Sequence, residues 1–196
     1  MILAETPATV IKTALGGFIF ATFLADSIKC SLITPNHFAE QARLDEGGYG
    51  IEFRKRFTQD ELISDVRNNV LMALGTSAVA TDRALDETFG NKNPADTTQF
   101  GAARSIIYQI RCAFAHDPLN PRWDTTPKYK RTYTAKVNII DQTGQATTRT
   151  IVFDRPLISG KFLSSSDFGG LSGYIGLLQY CLNEVETHPR GNISYS

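Results

Sequence analysis

Residues 104–117 read RSIIYQIRCAFAHD, and the period of their apolar positions decides the fold class. At about 100° per residue, Ala103, Ile106, Ile107, Ile110, Ala113 and Phe114 fall on one side, the core face of an amphipathic helix. Arg104 and Arg111, seven residues apart, stack along the edge of that stripe. Tyr108, Cys112, Ala115 and His116 continue round the adjacent face. Arg111 and His116 stand about 140° apart on an ideal helix and flank a strip made of Tyr108, Cys112 and the small Ala115. Pro118 and Pro121 forbid the helix from continuing.

Two of these side chains carry chemistry. Arg111 is a permanent cation whose planar fork matches phosphate oxygens. His116 can exchange protons near neutrality. Together they suffice for metal-free cleavage of an RNA phosphodiester, the imidazole as general acid or base and the guanidinium as a stabiliser of charge on the phosphorane. The more ordinary reading of such a pair is a solvated face, or a cation suiting the helix C-terminus. Cys112 four residues before His116 also admits a thiol nucleophile, although no third orienting group is in view.

Working outward, Thr58 and Glu61 form a capping box that starts a second long helix. Val70, Leu71, Leu74, Ala78, Leu85 and Phe89 run down one side of it, and Gly90-Asn91 ends it. After Pro94, Asp96 or Thr97 is the expected N-cap of the motif helix, so the two helices make an antiparallel hairpin. Beyond Pro127 the period changes to that of strands. Residues 130–140 and 147–153 are β-rich and separated by a turn at 141–145, a hairpin signal. Its basic residues Lys128, Lys130, Arg131, Lys136 and Arg149, among Tyr129 and Tyr133, suit contact with RNA or a charged edge that resists aggregation. Trp123 should anchor the crossover onto the bundle. A last helix is expected from Ser166 or Asp167 to about Thr187, with Leu171, Tyr174, Ile175, Leu178, Leu182 and Val185 spaced for burial. His188, before Pro189, caps its carbonyls or belongs to a disordered polar tail.

The N-terminal third is less regular. Residues 8–29 read as a helix whose apolar run at 14–25 suits burial. That run of 12 residues is shorter than a bilayer span needs, and Glu5 before the single Lys12 departs from the basic start of a signal peptide, so a buried helix is the better reading and a signal sequence the minor alternative. Thr34-Pro35-Asn36 starts an expected short helix over 37–44, and 47–50 reads as a flexible glycine turn. His37 reads as a surface or capping histidine. The expected fold is mainly α: an antiparallel helical bundle with one β-hairpin, about 129–154, between the motif helix and the C-terminal helix, all in one domain over 1–196.

The 20 basic and 20 acidic residues cancel, which argues against a dedicated nonspecific nucleic-acid binder and leaves room for a local basic cleft. Cys30, Cys112 and Cys181 show no metal-ligand spacing, and three such dispersed thiols fit a reducing cytoplasm. No metal, cofactor or membrane partner is expected.

The run RCAFAHDP, residues 111–118, resembles the signature of the HEPN superfamily, helical domains with an Arg-x4–6-His motif late in a long helix. The match is Arg111, four intervening residues, then His116 preceded by Ala115. The departure is Cys112, where the family usually carries Asn, Asp or His. The resemblance covers mainly 58–120, with 165–187 as a packing partner. It implies a HEPN-like bundle that forms a homodimer, with Arg111 and His116 of both protomers lining one cleft and cleaving RNA through its 2′-hydroxyl without metal. Toxin–antitoxin or phage-defence roles, with a cognate antitoxin or partner protein, are what the family suggests. By helix geometry Arg104, Tyr108 and Cys112 would bind the RNA or nucleotide. The rival reading is a non-catalytic HEPN-like module that binds RNA, a nucleotide or a protein through the same residues.

Overall fold

The computed structural model describes residues 6–38, 41–46, 49–54, 57–123, 127–140 and 145–189. Among these residues five α-helices and four strands follow in chain order: α1 (Pro7–Lys29), β1 (Gln41–Glu46), β2 (Tyr49–Arg54), α2 (Gln59–Phe89), α3 (Gln99–Phe114), β3 (Thr132–Ile140), β4 (Ala146–Asp154), the single turn α4 (Arg155–Ile158) and α5 (Gly170–Thr187). The chain is mainly helical, with α1, α2, α3 and α5 packed on one another.

Local chemistry explains most boundaries. Thr58 and Glu61 form the expected capping box at the start of α2, each satisfying an amide the helix leaves unpaired. Gly90 closes α2 with φ +74°, a left-handed conformation that glycine adopts without a Cβ penalty. The cap of α3 is Thr98, whose hydroxyl accepts the Gly101 N–H at 3.1 Å, rather than Asp96 or Thr97. Asp96 instead accepts the Thr98 N–H at 2.9 Å, which tightens the turn before the helix. The last helix does not start at Ser166 or Asp167: Ser164 and Asp167 form a capping box that opens a short 3-10 turn (Ser165–Phe168), and α5 itself begins after it at Gly170.

Helices α2 and α3 are antiparallel. Asp86 faces Arg104, Asp82 faces Arg111 and Gly75 faces Phe114, so contacts descend one helix as they climb the other. Gly75 is required there: a Cβ at that position would stand 2.7 Å from the Phe114 ring. The core joins Ile106, Ile107 and Ile110 of α3, Leu74 and Leu85 of α2, Phe18 of α1 and Leu177, Leu178 and Cys181 of α5. The hairpin β3–β4 closes one side of it. Tyr133, Ala135 and Val137 alternate inward from β3, with Ile151 and Phe153 from β4, the two-residue period of a half-buried sheet. Lys136 and Arg149 on the hairpin, and Lys128, Lys130 and Arg131 just before it, are all exposed. Trp123 is buried as expected. Its indole donates to Asp167 at 2.6 Å and meets the Phe153 and Phe168 rings edge-on.

Two expectations change in the N-terminal third. Among the described residues there are two hairpins, not one, because β1 and β2 pair antiparallel from Gln41↔Arg54 to Glu46↔Tyr49. The short helix expected over 37–44 reduces to a 3-10 turn (Pro35–His37), and Tyr49 and Gly50 belong to β2. Gly47 and Gly48 lie outside the described residues, yet a Gly-Gly pair between two six-residue runs is itself a hairpin signal. The apolar run at 14–25 lies in a continuous 23-residue helix, one long and apolar enough to cross a membrane. It buries only one face: Phe18 and Ala21 point into the core, while Ile19, Phe20 and Phe23 are exposed.

Candidate functional site

The last turns of α2, the segment 90–98 and α3 meet in a network of charged and aromatic groups. At its centre is Asp82, 1 % exposed. Its carboxylate accepts Arg111 Nη1 at 2.8 Å, and Lys92 Nζ stands 3.1 Å away. One turn on, Asp86 binds Lys92 at 2.8 Å and Arg104 Nη2 at 3.0 Å. Charge burial on this scale persists only when the charges are paired, and here two carboxylates serve three cations. Lys92 also lies 4.6 Å above the Tyr108 ring, a favourable site for a cation. Tyr129 covers another side of Tyr108 at 4.6 Å between centroids.

The sequence-predicted residues separate within this network. Arg111 sits on the rim, tied to Asp82 but with 45 % of its side chain exposed. His116 lies two residues past the end of α3, beyond the C-cap Ala115, and is exposed. Among the described residues no hydrogen bond or ion pair holds its ring. The turn that carries it is held by the next residue. Asp117 accepts the backbone N–H groups of Leu119 and Asn120, each at 3.1 Å. The Asn120 side chain adds a third bond, and together they keep the Asp117 carboxyl below its usual range.

Arg104 does not lie on the strip where helix geometry puts it. It is buried, donating to Asp86 and to the Gly90 carbonyl at 2.6 Å, with its guanidinium near the Phe89 and Phe100 rings. It locks the α2–α3 connection and has no exposed face to offer RNA. The reason is tertiary: Phe89, Gly90 and Asp86 at the end of α2 close over that edge of α3. Tyr108 and Cys112 do share a face with Arg111. The neighbouring Cys112 thiol and burial together raise the Tyr108 pKa. Burial pushes the Cys112 thiol up as well, opposed by the nearby Tyr108 hydroxyl and by Arg111.

That environment favours a neutral thiol, which is a poor nucleophile. Reaction with a thiol reagent at neutral pH should therefore modify the exposed Cys30 within seconds to minutes and Cys112 much more slowly. Cys181, fully buried with its thiol pushed up to about 12, should react only after unfolding. Mass mapping of the labelled cysteines against time tests this, and a Cys112 that labels first would revive the thiol-enzyme reading.

Asp82, Asp86 and Lys92 were not among the predicted site residues. Asp82 had a signal: it falls four residues after Ala78 and three before Leu85, on the stripe that should hold only apolar side chains. Beside Arg111 an open hollow of about 400 Å³ is lined by Val79, Asp82, Arg83, Asp86, Glu87 and Arg111. Among the described residues no group of three or more His, Cys, Asp or Glu is placed to hold a metal ion. The fold and site define a mainly helical domain with an Arg–His pair at the end of a core helix. No protein-family model, curated protein or solved structure matches this chain.

Proposed function

We propose that this chain is a HEPN-type, metal-independent endoribonuclease whose cleft is completed by a second copy. The observation that supports it best is the contrast between its two motif side chains. Arg111 is held by a buried carboxylate while keeping nearly half its surface in water, and His116 is exposed just beyond the helix end. A cation held before substrate arrives stabilises developing phosphorane charge without reorganising. An unbonded imidazole is free to move a proton.

In the proposed step the RNA 2′-oxygen attacks the adjacent phosphorus and the P–O5′ bond breaks. One histidine accepts the 2′-hydroxyl proton and another donates to the departing 5′-oxygen, so a cleft with His116 from both copies supplies both roles. The products are a 2′,3′-cyclic phosphate and a 5′-hydroxyl. Tyr108 and Cys112 line the approach, and Arg104 acts only as a support for the helix pair.

One observation favours the non-catalytic alternative, in which Arg111 serves a protein contact. The walls of the hollow beside it present Asp82, Asp86 and Glu87 with Arg83 and Arg111, and Arg111 is already paired with Asp82 at 2.8 Å, a mixed-charge surface that suits a protein partner.

Incubation of the purified protein with a mixed RNA pool in EDTA separates the two. Fragments bearing 2′,3′-cyclic phosphate and 5′-hydroxyl ends are expected. Intact RNA across a wide range of enzyme concentration would transfer the site to the interaction module.

A further inference from the structure

We propose that the exposed face of α1 is a homodimer surface, on which a second copy of α1 packs antiparallel about a two-fold axis near Ile19. From residue 13 to residue 25 α1 carries no charge, and the face turned to solvent is as apolar as the face in the core. Phe20 and Phe23 are 66 % and 68 % exposed, with Ile19 and Met72 of α2 beside them at 41 % and 44 %. An apolar patch of adjacent large side chains on a folded surface marks an interaction site.

Three features select a second copy as the occupant. The first is charge. The solvent stripe of α1 runs Lys12, Gly16, Ile19, Phe20, Phe23, Asp26, so one face begins with a cation and ends with an anion. The two lie 14 residues apart, about 21 Å along the axis and within about 40° of each other around it. In an antiparallel pair centred at Ile19, Lys12 meets the partner's Asp26 and, by symmetry, Asp26 meets the partner's Lys12, the reciprocal contact an isologous interface requires. Asp26 has no side-chain partner among the described residues. Lys12 binds Glu186 at 2.6 Å yet keeps 58 % of its side chain exposed, and an ammonium has three donors.

The second feature is shape. In this register Phe23 falls within one residue of the partner's Gly16, where a Cβ would meet nothing within 4 Å; the same helix thus supplies both the projecting ring and the space for it. The third is the adjoining relief. Phe20 and Met72 border a groove of about 540 Å³ floored by Ala14, Gly17, Ala73 and Ser77, which a partner's side chain can enter.

Sedimentation velocity of the full chain over a concentration series tests the surface directly. Wild type should sediment as a species of twice 21.6 kDa. F20S/F23S should be monomeric with an unchanged helical circular-dichroism spectrum, because both rings are solvent-exposed. K12E and D26K should each weaken self-association on the order of tenfold, since symmetry repeats every pair, and K12E/D26K together should restore it. Restoration separates the intermolecular pair from the Lys12–Glu186 contact, which the double variant does not rebuild.

A dimer that persists in F20S/F23S, or a charge swap that fails to restore association, overturns the proposal. So does a monomeric wild type whose α1 instead carries it into floating phosphatidylcholine vesicles. Oligomeric state is read without RNA, so the two readings fail separately. A dimer through another surface leaves a shared Arg111–His116 cleft standing and overturns only the α1 surface, an α1 dimer that never cuts RNA overturns only the nuclease, and a monomeric F20S/F23S that still cuts RNA removes the second copy from the cleft.

Discussion

His116→Ala is expected to lower RNA cleavage by about 10²–10⁴-fold, the usual contribution of a positioned general acid or base, and to leave the melting temperature within about 2 °C. Both halves follow from where the ring sits. It is exposed beyond the C-cap of α3, and among the described residues nothing binds it, so its removal opens no cavity and strands no partner. A large kinetic loss with no structural cost is the signature of a group that acts on substrate. Arg111→Lys extends the test. Asp82 engages one end of the guanidinium, which leaves the rest of the planar fork for a phosphate. A lysine presents a single ammonium and must share it between Asp82 and phosphate, so cleavage should fall by at least tenfold while stability changes little. Initial-rate measurements on a single-site RNA with parallel thermal melts read both quantities. Equal cleavage by wild type and His116→Ala would remove the histidine from the mechanism.

Asp82→Ala is expected to destabilise the fold by about 2–3 kcal/mol, toward the range for losing one member of a charge-assisted buried contact. At 2–4 °C per kcal/mol for a domain of this size, the melting temperature should drop by about 4–12 °C. The cost stays below that of stranding a fully buried ion because both cations have other recourse. Lys92 keeps Asp86 at 2.8 Å, and Arg111 is already 45 % exposed and can turn to water. Asp82→Asn, which keeps the shape and one acceptor, should cost less than half as much. Cleavage should also fall in Asp82→Ala, through the loss of a held guanidinium. Since Asp82 and Arg111 satisfy one contact, the double substitution Asp82→Ala/Arg111→Ala should be less destabilising than the sum of the singles. Strict additivity would show that the 2.8 Å contact contributes nothing.

Much of the fold was legible because its causes are local. The capping box at Thr58 and Glu61, the glycine stop at Gly90, the prolines after His116 and the strand period of β3 and β4 each act within a few residues. Where a cap differs from the expectation, at Thr98 and at Ser164, the expected residues stand one to three positions away and are equally able to accept the first amide. The hairpin of β1 and β2 is hard to see in the sequence because Gly47-Gly48 signals a flexible turn equally well whether or not strands flank it. Burial of the run at 14–25 was overestimated for a related reason. Hydrophobicity says that a face seeks cover, not which neighbour supplies it, and α2 and α5 cover only one side of α1.

For the site, the residues of the motif strip could be named from spacing along one helix, and Arg111, Tyr108 and Cys112 do stand together. Helix periodicity alone placed Arg104 beside them. Only the approach of α2 turned that side chain inward, where Asp86, Gly90 and two phenylalanine rings satisfy it. The pairing of Arg111 with Asp82, 29 residues earlier, was likewise a tertiary decision. Element type, length and facing stripe follow from short-range sterics and amide satisfaction, which a one-dimensional pattern records. Which charges are paired, buried or left to act on a ligand depends on the electrostatics of a second helix laid against the first, and that only the folded chain decides.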